Sequence, residues 1–297
     1  MTSRMYSAGR LSGSGVADEV GIRLPEEARL LRPSTPVGVG VLALLGSSGR
    51  MDVERARFFA SHGAHGMALR WFGGVDQAPG ICEIPLEVFV RALDRLSEEP
   101  VDTLAVVGLS KGAEAALLLA CVDRRVGLTV AISPPSVVWA NVGPGPDGQV
   151  TPYRSSWTWR GEPLPFVPYD DDWEPPETAG PVAYSTLYRR SLARDAAVAE
   201  AAAIPIEEAE GDLVLVAGRG DRLWPSAESA QALAERRVKG GKQVEVILND
   251  QAGHSPLWPG QPVPEPSTTL DRGGSPEADA ELGSAAWAAT AERLGLG

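Results

Sequence analysis

The sequence is poor in the residues that define several large classes of protein. Cysteine occurs only at Cys82 and Cys121, so we expect two reduced thiols and not a disulfide framework. No CxxC or HExxH spacing occurs, so a structural or catalytic zinc site has little support; we expect neither a metal nor another cofactor. No apolar run approaches the roughly 18 residues that cross a bilayer, and the opening MTSRMYSAGRLSGSG lacks the apolar stretch of a secretion signal. These absences predict a soluble, cytoplasmic protein.

Positive charge is also scarce. The chain has 27 Lys and Arg against 39 Asp and Glu, a formal net charge of −12. Such a balance argues against nucleic acid and against anionic membranes as partners, because both demand a basic surface. A small-molecule substrate is the expected partner, and a homodimer is left open. For a phosphate-bearing substrate, local Lys or Arg would have to compensate for the overall charge.

The order of apolar patterns predicts an α/β fold. With 297 residues, 43% of them hydrophobic, the chain has ample material for a buried core. From Val37 onward, strand-like runs alternate with helical patterns, which predicts a mostly parallel sheet with helices on both faces. We predict strands at 37–46, 66–73, 101–108, 125–133, 212–220 and 242–250, and helices at 52–63, 86–99, 111–122, 191–204, 226–239 and 276–293.

Two segments do not follow this alternation. Residues 1–36 are predicted to be an N-terminal extension, frayed over residues 1–18 and with an edge hairpin over residues 19–33. Residues 37–297 are predicted to form one catalytic domain. Within it, residues 134–183 are rich in Pro, Trp and Tyr and show no sustained periodicity. We predict that they form a long, cap-like excursion over the C-terminal edge of the sheet, where α/β folds place their sites.

The stretch GLSKG, residues 108–112, fits the G-x-S-x-G pattern. An apolar run precedes it and a helical pattern follows it, and in this setting a sharp turn exposes the Oγ atom of Ser110. The flanking glycines let neighbouring chain pass without a clash. The alternative is a strand-ending loop with a capping serine. The context favours a nucleophile.

A serine hydroxyl is a poor nucleophile unless a base removes its proton. His62 and His65 lie in a turn expected at the opposite end of the sheet, where we interpret them as surface or loop residues. His254 follows the last predicted strand and therefore belongs to the same edge as Ser110. We predict that His254 is the base.

The acidic partner of the histidine is expected between the serine and the histidine in chain order. Asp221 comes just after the strand at 212–220 and is our prediction. Asp250 is the alternative, although it is more simply a turn residue beside the histidine's own loop.

Two backbone N–H groups are needed to bind an oxyanion. We predict the N–H of Lys111 and an amide of Ser47 or Ser48, in the segment LLGSSGRMD; an ordinary glycine-rich turn is the alternative for that segment. The Lys111 side chain opposes the dipole at the start of its helix. Glu114, three residues further on, is slightly preferred as the partner of this side chain, and an anionic part of the substrate is the alternative.

Tryptophans are the candidates for substrate binding. Those in the excursion either line an apolar pocket or pack the excursion onto the sheet, with neither alternative favoured. The candidates are Trp139, Trp157, Trp159 and Trp173, together with Trp224 after the strand at 212–220.

Several segments, in the right order, resemble the family of acyl-CoA thioesterases and bile-acid-CoA:amino-acid N-acyltransferases, in its C-terminal α/β-hydrolase domain. GLSKGAEAAL resembles the family's elbow, in which lysine commonly follows the nucleophile. WRGEPLPFVPYD, IPIEEAEGDLVLVAGRGDRLWPS and AGHSPLWPG are similar to its central segment, its acid strand and its histidine loop. The resemblance implies an α/β-hydrolase fold from about Val37 to the C-terminus, with the acid role at Asp221 and the base role at His254.

Two departures from the family shape the expected function. Family members often carry an N-terminal β-sandwich domain, which we expect to be missing or vestigial here. Members that conjugate amino acids typically use cysteine, so Ser110 implies hydrolysis of a thioester or ester through an acyl-enzyme. Acyl transfer, cyclisation or elimination by the same triad is the alternative. A non-catalytic binding module is a third hypothesis, which the ordered Ser, Asp and His argue against.

Overall fold

The structure is a computed structural model that describes residues 6–7, 15–24, 26–177 and 180–297. The predicted fraying of residues 1–18 falls mostly on residues outside this range, and it is wrong for residues 16–18, which belong to a paired strand. In chain order the strands are β1 (Tyr6–Ser7), β2 (Val16–Arg23), β3 (Glu27–Pro33), β4 (Val39–Leu44), β5 (His65–Arg70), β6 (Ile84–Pro85), β7 (Thr103–Leu109), β8 (Val126–Ile132), β9 (Trp157–Trp159), β10 (Glu162–Pro163), β11 (Asp212–Gly218) and β12 (Glu245–Asn249). The helices are α1 (Val53–Ser61), α2 (Glu87–Leu96), α3 (Lys111–Val122), α4 (Ser185–Arg194), α5 (Ala196–Ala201), α6 (Ser226–Lys239) and α7 (Pro276–Leu294), with a short 3₁₀ turn at Ile206–Glu208.

A nine-stranded, mostly parallel sheet forms the centre of the molecule, in the order β1-β2-β3-β5-β4-β7-β8-β11-β12. The strands from β5 to β12 in this order pair in parallel, and β1, β2 and β3 add an antiparallel edge. The predicted strands after Val37 are all present. Because parallel strands share one direction, β4, β7, β8, β11 and β12 end at the same edge, where the loops that follow them meet.

Both faces of the sheet are covered by helices, as the sequence predicts. Successive residues of β11 alternate between two cores: Leu213 and Leu215 belong to the core on the face of α6, which also contains residues of α2 and α3, and Val214 and Val216 belong to the core on the face of α7, which also contains Phe59 of α1. This alternation follows from the two-residue period of a strand, and it explains why the strands are apolar at nearly every position.

The N-terminal hairpin belongs to the sheet. β2 pairs with β3, and β3 pairs in turn with β5, so the structure contains the hairpin predicted over residues 19–33. Leu30 and Leu31 are fully buried, on opposite faces. The core therefore begins before Val37, where the sequence had placed its start, because β3 lies between β2 and β5 and is buried on both faces.

The segment after the excursion also departs from prediction. The single helix predicted over residues 191–204 is two helices, α4 and α5, separated at Asp195. The Asp195 carboxylate accepts hydrogen bonds from the N–H groups of Ala197 (2.9 Å) and Val198 (3.1 Å). It is thus the N-cap of α5, and an N-cap residue has extended backbone, which ends the preceding helix.

The excursion carries its own small sheet. β9 and β10 form a hairpin, and β6, which lies before the excursion in sequence, pairs in parallel with β9.

Among the described residues, no helix has the length and apolarity that crossing a bilayer requires. Cys82 and Cys121 are free thiols.

Candidate active site

Ser110 occupies a sharp turn between β7 and α3. Its backbone has φ 60° and ψ −121°, in the positive-φ region that non-glycine residues rarely adopt and that costs energy to hold. A Cβ atom on Gly108 would collide with the Gly112 carbonyl oxygen, and one on Gly112 would collide with the Leu44 carbonyl oxygen. Both positions of the G-x-S-x-G motif therefore require glycine, because the strand, the turn and the helix pass in direct contact.

The loop after β4 runs beside this serine. β4 is paired with β7 so that Leu44 lies opposite Gly108, and a Cβ atom on Gly46 would lie 3.1 Å from the Cβ atom of Ser110. Ser47 and Ser48 follow, and both line the same cavity as Ser110. Lys111 is the first residue of α3, and the N–H groups of a first helical turn have no acceptor within the helix.

His254 and Asp221 form a buried hydrogen-bonded pair. The Nδ1 atom of His254 lies 2.8 Å from the Oδ2 atom of Asp221, and the two residues are 3% and 6% exposed. The carboxylate is itself fixed: Oδ1 accepts the N–H groups of Leu223 (2.8 Å) and Trp224 (3.2 Å), and Oδ2 accepts the hydroxyl of Ser226 (2.6 Å). A carboxylate at Nδ1 favours a proton on that nitrogen and leaves Nε2 free to act as a base.

Three further contacts hold the histidine. Its backbone N–H donates to the Arg272 carbonyl oxygen (2.9 Å), and its own carbonyl accepts the hydroxyl of Ser133 (2.9 Å). The Trp224 ring lies edge-on to the imidazole at 5.6 Å, and its Nε1 donates to the carbonyl of Ser133 (3.0 Å). Trp224 is therefore packed against the histidine and is not among the residues that line the cavity, so its contact with a substrate stays a prediction.

Ser110 and His254 line one cavity. In the part of the chain that the structure describes, no hydrogen bond joins Ser110 Oγ to His254. Catalytic hydrogen bonds are often long in ligand-free enzymes and tighten when substrate binds. The arrangement has the parts of a serine, histidine and acid triad on one edge of the sheet.

Asp250, the alternative acid, lies elsewhere. Its side chain is 81% exposed and pairs with Arg219 at 3.0 Å. Of the two candidates, the carboxylate beside His254 is that of Asp221.

Neither of the other two histidines is among the residues that line this cavity. His62 Nδ1 contacts the Phe58 carbonyl oxygen at 2.8 Å, and its ring packs against Trp287. His65 begins β5 and is 3% exposed, so its interpretation as a surface or loop residue was wrong. Burial lowers the pKa of His65, against the opposing effect of Glu99.

Lys111 turns away from the cavity into a buried polar cluster. Its Nζ atom donates to Glu114 Oε2 at 2.7 Å and to Ser156 Oγ at 2.8 Å. Glu114 Oε1 accepts the indole N–H of Trp157 (2.7 Å) and the backbone N–H of Trp139 (3.0 Å). Burial lowers the pKa of Lys111, and Glu114 opposes this shift. The predicted pairing with Glu114 is confirmed, and Lys111 is not among the residues that line the cavity.

The structure does not bring the tryptophans of the excursion to the cavity. Trp139 and Trp157 are 2% and 0% exposed and hold the excursion against α3. Trp159 packs against the core and beside Arg160, and Trp173 packs against Tyr184. None of these four tryptophans is among the residues that line the cavity beside Ser110, and their contacts are those of the alternative, in which they pack the excursion onto the fold.

The cavity beside Ser110 has a volume of about 870 Å³ and is formed by two other parts of the chain, residues 45–61 and 254–272. The sequence reasoning missed this. A signal was present, because the loop after His254 is rich in proline and a short stretch after the β4 loop is rich in arginine. The lining is mainly apolar, with several charged residues: Phe58, Leu109, Leu223, Leu257, Leu270, Pro256, Pro259, Pro262 and Pro264, and Arg50, Asp52, Glu54, Arg55, Arg57 and Arg272.

The sheet order, the elbow and the loops at the carboxyl edge define an α/β-hydrolase fold. Solved structures of this class resemble the chain. An acetyl xylan esterase from Paenibacillus sp. R4 is 18% identical, with a TM-score of 0.54 over 86% of this chain and 84% of that one. A putative dienelactone hydrolase from Klebsiella pneumoniae is 12% identical, with a TM-score of 0.51 over 91% and 92%. At such identities the likeness concerns the fold alone.

Within this class the chain belongs to the family described as BAAT / acyl-CoA thioester hydrolase C terminal, whose profile matches residues 84–293. The match includes Ser110, Asp221 and His254, and it confirms the family resemblance. The rat acyl-coenzyme A amino acid N-acyltransferase 2 is 27% identical over 236 residues, 76% of this chain and 51% of the relative. Human acyl-coenzyme A thioesterase 6 is 25% identical over 243 residues, 76% and 51%. The chain thus spans about half the length of these curated relatives.

Proposed function

We propose that this protein is a serine hydrolase that cleaves a thioester or ester of a small-molecule acyl group through an acyl-enzyme. The observation that carries the proposal is the buried His254 and Asp221 pair, with its 2.8 Å contact, on the same cavity as a serine held at positive φ. Relatives named acyl-coenzyme A thioesterase support a thioester as the bond that is cleaved.

The first half of the reaction forms the acyl-enzyme. His254 accepts the Ser110 hydroxyl proton at Nε2, and Ser110 Oγ attacks the carbonyl carbon of the substrate. Asp221 stabilises the imidazolium that results and keeps the ring oriented. When the tetrahedral intermediate collapses, the bond to the leaving group breaks and His254 gives its proton to the departing sulfur or oxygen.

Backbone amides stabilise the oxyanion of this intermediate. We assign the N–H of Lys111, at the positive end of α3, and an N–H of Ser47 or Ser48 in the loop that passes Ser110. The Lys111 side chain takes no part, since it is bonded to Glu114 and Ser156 on the other side of the turn.

The second half of the reaction releases the acyl group. A water molecule loses a proton to His254 and attacks the acyl-enzyme, and Ser110 recovers its proton as the free acid leaves. Transfer to an amine is the second candidate, because other relatives are named amino acid N-acyltransferases. The two reactions share every step up to the acyl-enzyme and differ only in the nucleophile that ends it.

The test uses short, medium and aromatic acyl-CoA thioesters beside matching simple esters. Release of thiol or acid is followed with the wild type and with Ser110→Ala, and products are analysed with and without amino-acid acceptors. We expect Ser110→Ala to lower thioester cleavage by about 10³-fold or more, with a free acid as the product. Cleavage that persists in Ser110→Ala refutes the proposal, and an amide product in place of the acid identifies the transferase.

A further inference from the structure

We propose that Arg50 and Arg272 form an anion-binding subsite, which selects a substrate carrying a carboxylate or phosphate group in addition to its thioester or ester. The inference rests on the proposed function, because it places this subsite in the cavity that contains Ser110 and His254. It concerns which acyl compounds the site accepts.

Two other arginines of the cavity are already paired. Arg55 Nε lies 2.9 Å from Asp52 Oδ2, with both side chains buried. Arg57 pairs with Glu19 at 2.8 Å and also with Glu54. These pairs occupy both carboxylates that line the cavity, since Asp52 and Glu54 are its acidic residues.

Arg50 and Arg272 differ from them. Within the described ranges, neither guanidinium forms an ion pair or a side-chain hydrogen bond. Arg50 is exposed and Arg272 is half-buried. The chain has 39 carboxylates for 27 cationic side chains, and most of its described arginines pair with a carboxylate. Of the four described arginines on the cavity of Ser110, Arg50 and Arg272 are the two that do not.

Both arginines are attached closely to the reacting groups. Arg50 lies in the loop after β4, which passes Ser110 at Gly46. A Cβ atom added to Gly46 would lie 3.1 Å from the Cβ atom of Ser110. The Arg272 carbonyl accepts the backbone N–H of His254 at 2.9 Å. One arginine therefore belongs to the segment beside the nucleophile and the other to the segment that holds the base.

The chemistry of guanidinium identifies the class of ligand. Arginine presents a planar fork of N–H donors that matches the two oxygens of a carboxylate or phosphate. A protein with a net charge of −12 disfavours the approach of anions, and two unpaired arginines offset this locally. The leucines, prolines and Phe58 of the same cavity suit the hydrocarbon part of the substrate.

Three thioesters of similar acyl length show whether the recognised anion lies on the acyl group or on the leaving group. Butyryl-pantetheine is neutral, glutaryl-pantetheine carries a carboxylate on the acyl group, and butyryl-CoA carries phosphates on the leaving group. Each is assayed with the wild type, Arg50→Gln, Arg272→Gln and the double variant. Arg124→Gln is the matched control, because Arg124 is exposed, lies beyond the C-terminal end of α3 and has no place on the cavity.

We expect the double variant to lower kcat/KM at least tenfold more for an anionic thioester than for butyryl-pantetheine, and Arg124→Gln to keep the wild-type ratio. If kcat/KM relative to butyryl-pantetheine falls for glutaryl-pantetheine, the recognised group is a carboxylate. If it falls for butyryl-CoA, the recognised group is a phosphate. Unchanged ratios in the double variant, with turnover that still depends on Ser110, overturn the subsite and leave the proposed function standing.

A binding measurement keeps the two proposals separable. Dissociation constants of glutarate and of coenzyme A are measured by calorimetry for the wild type, the double variant and Arg124→Gln. If no thioester is cleaved in a Ser110-dependent way, the proposed function fails, and the subsite is then decided by binding alone. At least tenfold weaker binding of either anion to the double variant supports it, and equal binding to all three proteins overturns it.

Discussion

Ser110 and Lys111 are neighbours in sequence, yet their side chains face two regions of opposite character. Ser110 lines a cavity formed by residues 45–61 and 254–272. Lys111 enters a buried polar cluster beneath the excursion at 134–183. The aromatic excursion is thus attached to the side of the elbow that faces away from the cavity, and the cavity itself is lined by a proline-rich loop and by arginines.

A carboxylate fastens each region, in a different way. Glu114 is fully buried and bonded to Lys111 and to two tryptophans of the excursion. Asp279 of α7 is only half-buried; its Oδ1 accepts the N–H of Gly253 (2.7 Å), and its carbonyl accepts the N–H of Leu257 (2.9 Å). Asp279 thereby holds the loop on both sides of His254 by amides, without an ion pair among the described residues. Loss of Glu114 should therefore matter more to folding.

The largest effect is expected from Asp221→Asn, on the cavity side. Asparagine keeps an oxygen for the amides of Leu223 and Trp224 but no longer stabilises the charged imidazole. We expect kcat to fall by about 10³ to 10⁴-fold, with the thermal midpoint changed by only a few degrees. Turnover of the preferred thioester and a melting curve measure the two quantities.

Asp250→Asn is the matched control for that variant. Its carboxylate is 81% exposed and pairs with Arg219, so the same chemical change should leave kcat within about twofold of the wild type. Equal losses in the two variants, or a larger one in Asp250→Asn, would show that the acid has been misassigned.

On the excursion side, Glu114→Gln tests the buried pair. The substitution leaves the ammonium of Lys111 buried without its counter-charge, and we expect a loss of about 3 kcal/mol in the free energy of unfolding. Adding Lys111→Met removes the unpaired charge, while the amide oxygen introduced by Glu114→Gln remains an acceptor for the indole of Trp157. Urea unfolding of both single variants and the double variant completes the cycle.

We expect the double variant to be more stable than Glu114→Gln alone. Additive losses would mean that the pair contributes no coupling, and the excursion would then have to be held by its apolar contacts. Glu228→Gln is the control, since Glu228 forms an exposed ion pair with Arg189, of a kind that contributes at most about 1 kcal/mol.

The comparison also explains what the sequence could and could not predict. Ser110 directly follows strand β7, and Asp221 and His254 lie in the loops after β11 and β12, so the strand pattern together with the G-x-S-x-G motif was enough to predict that all three lie at one edge of the sheet. The position of Trp157 was undecided, because a buried tryptophan and a pocket tryptophan look the same in sequence. Which side of the elbow the excursion covers depends on Glu114 and Lys111, whose contacts span more than forty residues of chain. Periodicity reports that a residue is buried but not which partner buries it.

The smallest effect is expected from Asp279→Asn, and it depends on pH. Burial raises the pKa of Asp279 above its ordinary value of 3.8, with Asp221 adding to the shift and the Gly253 N–H and His254 opposing it. An acid whose folded-state pKa is raised resists ionisation in the folded protein. Its contribution to stability is therefore greatest below its unfolded-state pKa and declines as pH rises through its folded-state pKa.

The asparagine side chain of this variant keeps the acceptor for Gly253 and does not ionise. We therefore expect the variant to melt about 1 to 2 °C higher than the wild type at pH 7, and the difference to vanish below about pH 4. Melting curves recorded from pH 3.5 to 7 measure this difference. Glu277→Gln, at an exposed residue of the same helix, is the control. If the wild type is the more stable protein at pH 7, the charge of Asp279, and not only its oxygen, holds the histidine loop.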